Sequence, residues 1–484
     1  MAEPRYVIIH GHFYQPPRES PWTGLITTEP SAAPFSNWNE RILSECYLAN
    51  ARAHTMEGTI VHIRNNYESI DFNVGPTLFS WLEAHGKSAY RAILRGDALS
   101  SERRGGHGNA IAQSYNHSIL PLLSERDRAL QIAWGVVDFR YRFGRQPDGM
   151  WLPECAVDEG TLESLADGGM KFTILAPEQG RYSDDGASAR AAGPFAWHSG
   201  DRAVAVFRFD RGLSTEISFG NVLSDGSALA GRIAEATLAL QPGEALLLAT
   251  DGETFGHHRK SGAAELARAL IMLERRDDLI ITNCAQYLAM RGVRGEFTAK
   301  GATSWSCPHG VERWRSNCGC RMDPHTSQEW RAQLYDAMHF VNDHVTSVYD
   351  RFAPEVVADP RVVAHQGIRL LIDSNPAIHE EFFKRHKIDD EDKRERVFWL
   401  LEMLRAGQAS LTSCAWFFDD FGGLEGRVAL RWAARAVELA GELEPSVEAD
   451  LLHRLRHIRS NRRDVGDGAT LYLSLKTREA RGRV

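Results

Sequence analysis

Short β-rich apolar runs alternate with stretches of helical spacing from the N-terminus to about residue 325. Tyr6–Ile9, Lys171–Leu175, Ala203–Phe207, Ala245–Ala249 and Leu279–Thr282 are the strand-like runs. One intervening stretch illustrates the helices. Leu130, Trp134, Val137 and Tyr141 recur at helical spacing, Ser124 and Asp127 can cap the start, and Gly144 can end it. Strands alternating with helices predict an α/β architecture with mainly parallel strands.

The pattern changes near residue 325. Ser327–Phe352, Glu391–Leu404, Gly426–Leu443 and Val447–Arg459 read as long helices, and Val397, Leu400, Leu401 and Leu404 form the apolar stripe that a bundle helix buries. A single core stops growing at about 250 to 300 residues. The 484 residues are therefore expected to form an α/β domain over 1–325 and an α-helical domain over 326–484.

Apolar residues at 43% and charged residues at 25% fit an ordinary globular chain. The net charge of −8 argues against a nucleic-acid partner, which would require clustered positive charge. Neutral polyhydroxyl ligands fit better. No apolar run approaches the ~20 residues of a membrane span, and no secretory leader is evident at Tyr6–Ile9. A cytoplasmic location without membrane association is the expectation. Seven cysteines spread over so long a chain read as reduced thiols rather than a disulfide framework.

Three segments place polar residues just after an apolar run, where a barrel of parallel strands carries its active site. In Ile8-Ile9-His10-Gly11-His12-Phe13-Tyr14-Gln15-Pro16, the two histidines share a strand face, open between metal ligation, sugar-hydroxyl binding and packing. Gly149-Met150-Trp151-Leu152-Pro153-Glu154 ends in a carboxylate beside an indole. Such a pair suits a sugar ring stacking while an acid reaches its anomeric carbon, though a glutamate after a proline turn is also commonplace. Leu246 to His258 is the strongest local signal, an apolar strand emptying into Asp251, Glu253, His257 and His258 around glycines. An apolar strand end can raise a carboxyl toward the range of a general acid, although Asp-Gly also marks ordinary turns.

Taken together and in order, these segments resemble glycoside hydrolase family 57 over roughly residues 6 to 320. His10 and His12 are similar to the family's first region, with Phe13 and Tyr14 inserted before Gln15-Pro16, and His117 in Ser114–Pro121 is similar to its second. The resemblance implies a distorted seven-stranded (β/α) barrel followed by a helical domain. It implies Glu154 as nucleophile and Asp251 as acid/base, acting on an α-glucan or maltooligosaccharide with retention, by hydrolysis or by transfer. His10, His12, His117, Trp151, Glu253, His257, Trp305 and Trp416 are then the expected substrate-binding residues. His258 stands where the family usually has tryptophan.

No cofactor is expected. Cys307, His309, Cys318 and Cys320 are residue types that suit zinc, but they lack the usual Cys-x-x-Cys knuckle, so no metal is assigned. Two rival readings remain open: a metal-dependent barrel with His10, His12 and Asp251 as ligands, for deacetylation or glycoside cleavage, and a glucan-binding protein without turnover.

Overall fold

The computed structural model describes residues 3–184, 186 and 188–481. The chain divides into two compact units, each assembled from separated segments. One comprises Met1–Gln15, Thr28–Gln113 and Arg142–Trp305; the other comprises Pro16–Thr27, Ser114–Tyr141 and Ser306–Val484.

The first unit is built on parallel strands: β1 (Arg5–Phe13), β2 (Asp71–Val74), β3 (Ala112–Gln113), β4 (Met150–Trp151), β5 (Phe172–Leu175), β6 (Arg202–Arg208) and β7 (Ala245–Asp251). β1 lies between β7 and β2. The parallel order continues from β2 through a single bridge, Phe72↔Ala110, to β3 and β4, then through Gly149↔Phe172 to β5 and β6. Beyond β6, the Asp210 N–H donates to the Leu247 carbonyl of β7 at 2.7 Å, so the sheet curls back on itself. The result is an α/β core with a curled, half-barrel-like sheet. Val7, Ile8, Leu246 and Leu247 have 0% exposure, which explains the unbroken apolar runs: strands covered on both faces need no polar alternation. The strand Phe195–Ser199 runs antiparallel to β6 and leads through Gly295–Ala299 to Gly180–Asp184.

The second unit is helical. Trp330–Phe352 packs against Glu391–Ala409, Leu424–Gly441 and Val447–Leu455. The stripe Val397, Leu400, Leu401 and Leu404 is buried as its spacing predicts. The helix Glu125–Phe143 starts where expected, with the Asp127 N–H donating to Ser124 Oγ at 3.1 Å. Through Tyr141 it belongs to this unit, although its place in the sequence is between sheet strands. A buried polar network holds it there. Gln408 Nε2 donates to Asp127 Oδ1 at 2.7 Å and to Asn342 Oδ1 at 2.9 Å, and Asn342 Nδ2 donates to Asp127 Oδ2 at 3.0 Å. Among the described residues no helix is long and apolar enough to cross a membrane.

Candidate active site

Register in the curled sheet collects the polar residues. His12 pairs with Asp251 on one side and with Asn73 on the other, and Gln113 pairs with Trp151. In-register neighbours of a parallel sheet point to the same face, so the C-terminal strand ends carry one row: Asp251, His12, Asn73, Gln113 and Trp151. This is the edge at which parallel α/β sheets place their chemistry.

The middle of the row is tied together and closed off. His10 Nδ1 lies 3.3 Å from Asp71 Oδ1 and its Nε2 lies 3.0 Å from Asn73 Oδ1. Asn73 Nδ2 is 2.9 Å from His12 Nδ1 and donates to Gln113 Oε1 at 2.7 Å. Both imidazoles stack on Trp151, with ring centroids 4.7 Å and 5.0 Å away. Both ring nitrogens of His10 are thus engaged within the protein, and His10, His12 and Asp251 do not gather as a ligand set among the described residues.

Accessible surface lies at Asp251 and at Glu154, three residues beyond Trp151. Glu154 follows β4 in a left-handed backbone conformation, φ 57°, a region that non-glycine residues enter only when their surroundings hold them there. Trp305 holds it twice: its backbone N–H donates to the Glu154 carbonyl at 2.9 Å and its indole Nε1 to Glu154 Oε2 at 3.1 Å. Trp305 also meets Trp151 edge to face at 5.2 Å. Asp251 ends β7 with its side chain open to water. Neighbouring protein groups nonetheless displace part of the water around that carboxyl, which disfavours its charged form. Desolvation, with the Glu154 charge added, raises it to about 7.

Glu253 sits two residues on, inside the 3₁₀ turn Gly252–Thr254 and turned inward. It is 6% exposed and accepts from the Tyr14 N–H at 3.1 Å and the Tyr47 hydroxyl at 2.8 Å. Burial, then the Asp251 charge, raises it to about 8. His257 Nδ1 lies 2.5 Å from Glu45 Oε2, with its ring against the edge of Trp38.

These positions revise the expected substrate-binding set. Trp305 and His257 retain accessible surface. His10 and Trp151 have 0% exposure, while His12 and Glu253 are buried, so as they stand they support the strand ends rather than face a ligand. His117 and Trp416 belong to the helical unit. There His117 Nδ1 lies 2.7 Å from Ser413 Oγ, and burial lowers its pKa to about 3, while Trp416 Nε1 donates to the Arg331 carbonyl at 3.1 Å. Asp71, Asn73, Gln113, Tyr47 and Glu45 are the partners that reading the sequence missed. Only the Asp71-Phe72-Asn73 alternation could have pointed to them. In the helical unit, Cys307, His309, Cys318 and Cys320 converge although no spacing rule joined them.

Comparison with known proteins bears on the fold. The family model described as glycosyl hydrolase family 57 matches residues 98–293, and a domain of unknown function, DUF3536, matches 327–480. A curated 1,4-alpha-glucan branching enzyme of Thermococcus kodakarensis is 40% identical over 72 residues, 14% of this chain and 10% of that protein, so the match spans about a tenth of that relative. Among solved structures, an exo-type maltose-forming amylase from Pyrococcus sp. ST04 is similar with a TM-score of 0.69 at 15% identity, over 92% of this chain and 80% of that one. The alpha-amylase AmyC of Thermotoga maritima gives 0.57 at 12% identity, over 94% and 96%. Similarity at such identities speaks to the fold.

Proposed function

Because this chain is of the glycosyl hydrolase family 57 type, with a separate C-terminal domain, we propose that it cleaves α-glucans with retention and passes the glycosyl group to water or to another glucan. Glu154 attacks the anomeric carbon and forms the glycosyl-enzyme; Asp251 protonates the leaving oxygen and then takes the proton of the acceptor. The observation carrying this reading is the electrostatic pairing of the two carboxyls. Glu154 is held by an indole N–H that favours its anion, and its charge helps to keep Asp251 protonated to about pH 7. On this reading an acid and a nucleophile are differentiated at the ends of two strands of the curled sheet, β7 and β4. Glu253 has a raised pKa as well, but its burial and its two donors withhold it from a ligand.

The test is time-resolved product analysis on maltooligosaccharides and glycogen with wild type, Glu154→Gln and Asp251→Asn. We expect each variant to lose at least about a hundredfold in kcat, as general-acid and covalent steps contribute. The wild-type kcat/KM should fall above about pH 7 as Asp251 deprotonates. Full activity in either variant overturns the assignment of its residue, and glucan binding without turnover by the wild type overturns the enzymatic reading.

A further inference from the structure

The helical unit contains four side chains whose arrangement nothing so far explains. Cys307, His309, Cys318 and Cys320 each direct one ligand-type atom at a common point, all within 4.8 Å of one another. Cys307 Sγ lies 3.7 Å from Cys320 Sγ, 3.9 Å from Cys318 Sγ and 3.9 Å from His309 Nδ1; Cys320 Sγ lies 3.5 Å from His309 Nδ1. We propose that these four residues form a structural zinc site, a Cys₃His tetrahedron in the segment that leads into the helical domain.

The distances follow from the ion. Zinc holds thiolate sulfur at about 2.3 Å and imidazole nitrogen at about 2.0 to 2.1 Å in a tetrahedron. A tetrahedron's edge is about 1.63 times its centre-to-vertex length, so sulfurs sharing one zinc lie about 3.8 Å apart and a sulfur and a nitrogen about 3.5 Å apart. The observed sulfur spacings of 3.7 and 3.9 Å bracket the first value, the sulfur-to-nitrogen distances of 3.5 and 3.9 Å lie at and somewhat above the second, and all four ligand atoms lie within 4.8 Å of one another.

Competing chemistries fit less well. A disulfide brings its sulfurs to about 2.05 Å, and any pair among three thiols leaves a third thiol and the imidazole converging to no purpose. An iron–sulfur cluster of the common kinds takes four cysteines around several irons, whereas three sulfurs and one nitrogen surround a single point here. Magnesium and calcium take oxygen ligands. Four protein ligands leave no open position for water or substrate, so the role is structural rather than catalytic.

The backbone is shaped to present the ligands. Cys307 and His309 share a tight turn closed by the Gly310 N–H donating to the Cys307 carbonyl at 3.1 Å, with Gly310 at φ 81°. Cys318 and Cys320 flank Gly319, at φ 82°. Both glycines occupy left-handed backbone that other residues adopt at a cost. Each turn supplies two ligands, so the long gap between them is simply the loop that the metal closes. The turns are anchored independently. Arg331, 0% exposed, donates from Nη1 to the Cys320 carbonyl at 2.7 Å; Asp419 accepts from the Asp323 N–H at 2.7 Å; Trp314 Nε1 donates to the Ser413 carbonyl at 3.2 Å. From Ser306 to Ser327 the chain has only one 3₁₀ turn, Glu312–Trp314, and few buried apolar groups. A segment of that length with little regular structure gains order from a metal cross-link.

The test uses the full chain, grown with added zinc and purified without chelator or affinity tag. Elemental analysis should give about one zinc per chain, and replacement by cobalt should produce thiolate-to-cobalt charge-transfer absorption with the d–d bands of a tetrahedral site. The double variant Cys307→Ser, Cys318→Ser should lose both signals, while Cys414→Ser, a buried cysteine elsewhere in the unit, should keep both. Stripping the metal from wild type should lower the thermal midpoint by about 10 °C or more, restored by zinc. Less than about a tenth of a zinc per chain with no cobalt spectrum on wild type overturns the proposal, as does an intact mass showing a disulfide among the three cysteines. The cobalt measurement needs no variant to fold.

Discussion

Replacing Trp305 with phenylalanine isolates the hold on Glu154. The substitution keeps an aromatic ring beside Trp151, which Trp305 now meets at 5.2 Å, and keeps the backbone bond to the Glu154 carbonyl; it removes only the indole donor 3.1 Å from Glu154 Oε2. A hydrogen bond to a charged group contributes about 1.5 to 3 kcal/mol. At about 1.36 kcal/mol per decade of rate, its loss costs about 10- to 150-fold if Glu154 must stay ionised and oriented as the bond of the glycosyl-enzyme forms. The assay is initial rates on a maltooligosaccharide series, with kcat and KM separated and thermal unfolding followed in parallel. The expected result is a fall in kcat with the midpoint little changed. If kcat stays within about twofold of wild type in a folded variant, the indole does not position the nucleophile, and the argument fails. A rise in KM alone would instead make Trp305 a platform for the sugar.

Two further substitutions test the framework around the pair. Glu253 titrates near 8 when folded against an ordinary 4.5, so the folded chain keeps a proton that the unfolded chain releases between those values, and stability falls as pH rises from about 4.5 to about 8. Glu253→Gln can still accept from Tyr47 and Tyr14, so its thermal midpoint should gain on wild type progressively from pH 5 to pH 8; parallel curves would mean the buried carboxyl is ionised in the native state. Asn73→Ala removes the 0%-exposed amide shared by His10, His12 and Gln113 and should destabilise by about 2 to 4 kcal/mol in urea unfolding. A loss below about 1 kcal/mol would show that these groups find other partners.

The alternation of elements was legible because the long central strands are covered along almost their whole length. Tyr6–Ile9 and Ala245–Ala249 are unbroken apolar runs, and both lie inside observed strands, Arg5–Phe13 and Ala245–Asp251. Ala112–Gln113 was not legible, because a two-residue strand has no period and exists only because its neighbours hold it, whereas Met150–Trp151 lies in the apolar run read before Glu154. Membership of units escaped for a similar reason. The helix Glu125–Phe143 forms where expected, but its partners, Gln408 and Asn342 on Asp127 and the Ala364 carbonyl on the Trp134 indole, lie hundreds of residues away. The cysteine–histidine quartet was visible as residue types and obscured by its spacing, since familiar spacings describe other loops rather than the geometry an ion demands.

Asp251 and Glu253 show how position separates two acids of similar chemistry. Both lie at the end of the same apolar strand, and both have raised pKa values, Glu253 because it is buried and Asp251 because neighbouring protein displaces water and the Glu154 charge adds to the effect. Asp251 is the last strand residue, in register with His12, and its side chain remains open to water. One peptide later the chain enters a 3₁₀ turn, and Glu253 points inward to the Tyr47 hydroxyl. A raised pKa alone therefore does not identify an acid catalyst; a proton donor must also be reachable by the oxygen it protonates. Of the two, Asp251 satisfies both conditions, and under the proposed mechanism the Glu154 charge that helps to keep it protonated is spent in bonding to the sugar. On that proposal the contribution vanishes as Glu154 becomes an ester and the Asp251 carboxyl becomes more acidic, leaving the residue that gave a proton in the first step as the base the second step needs.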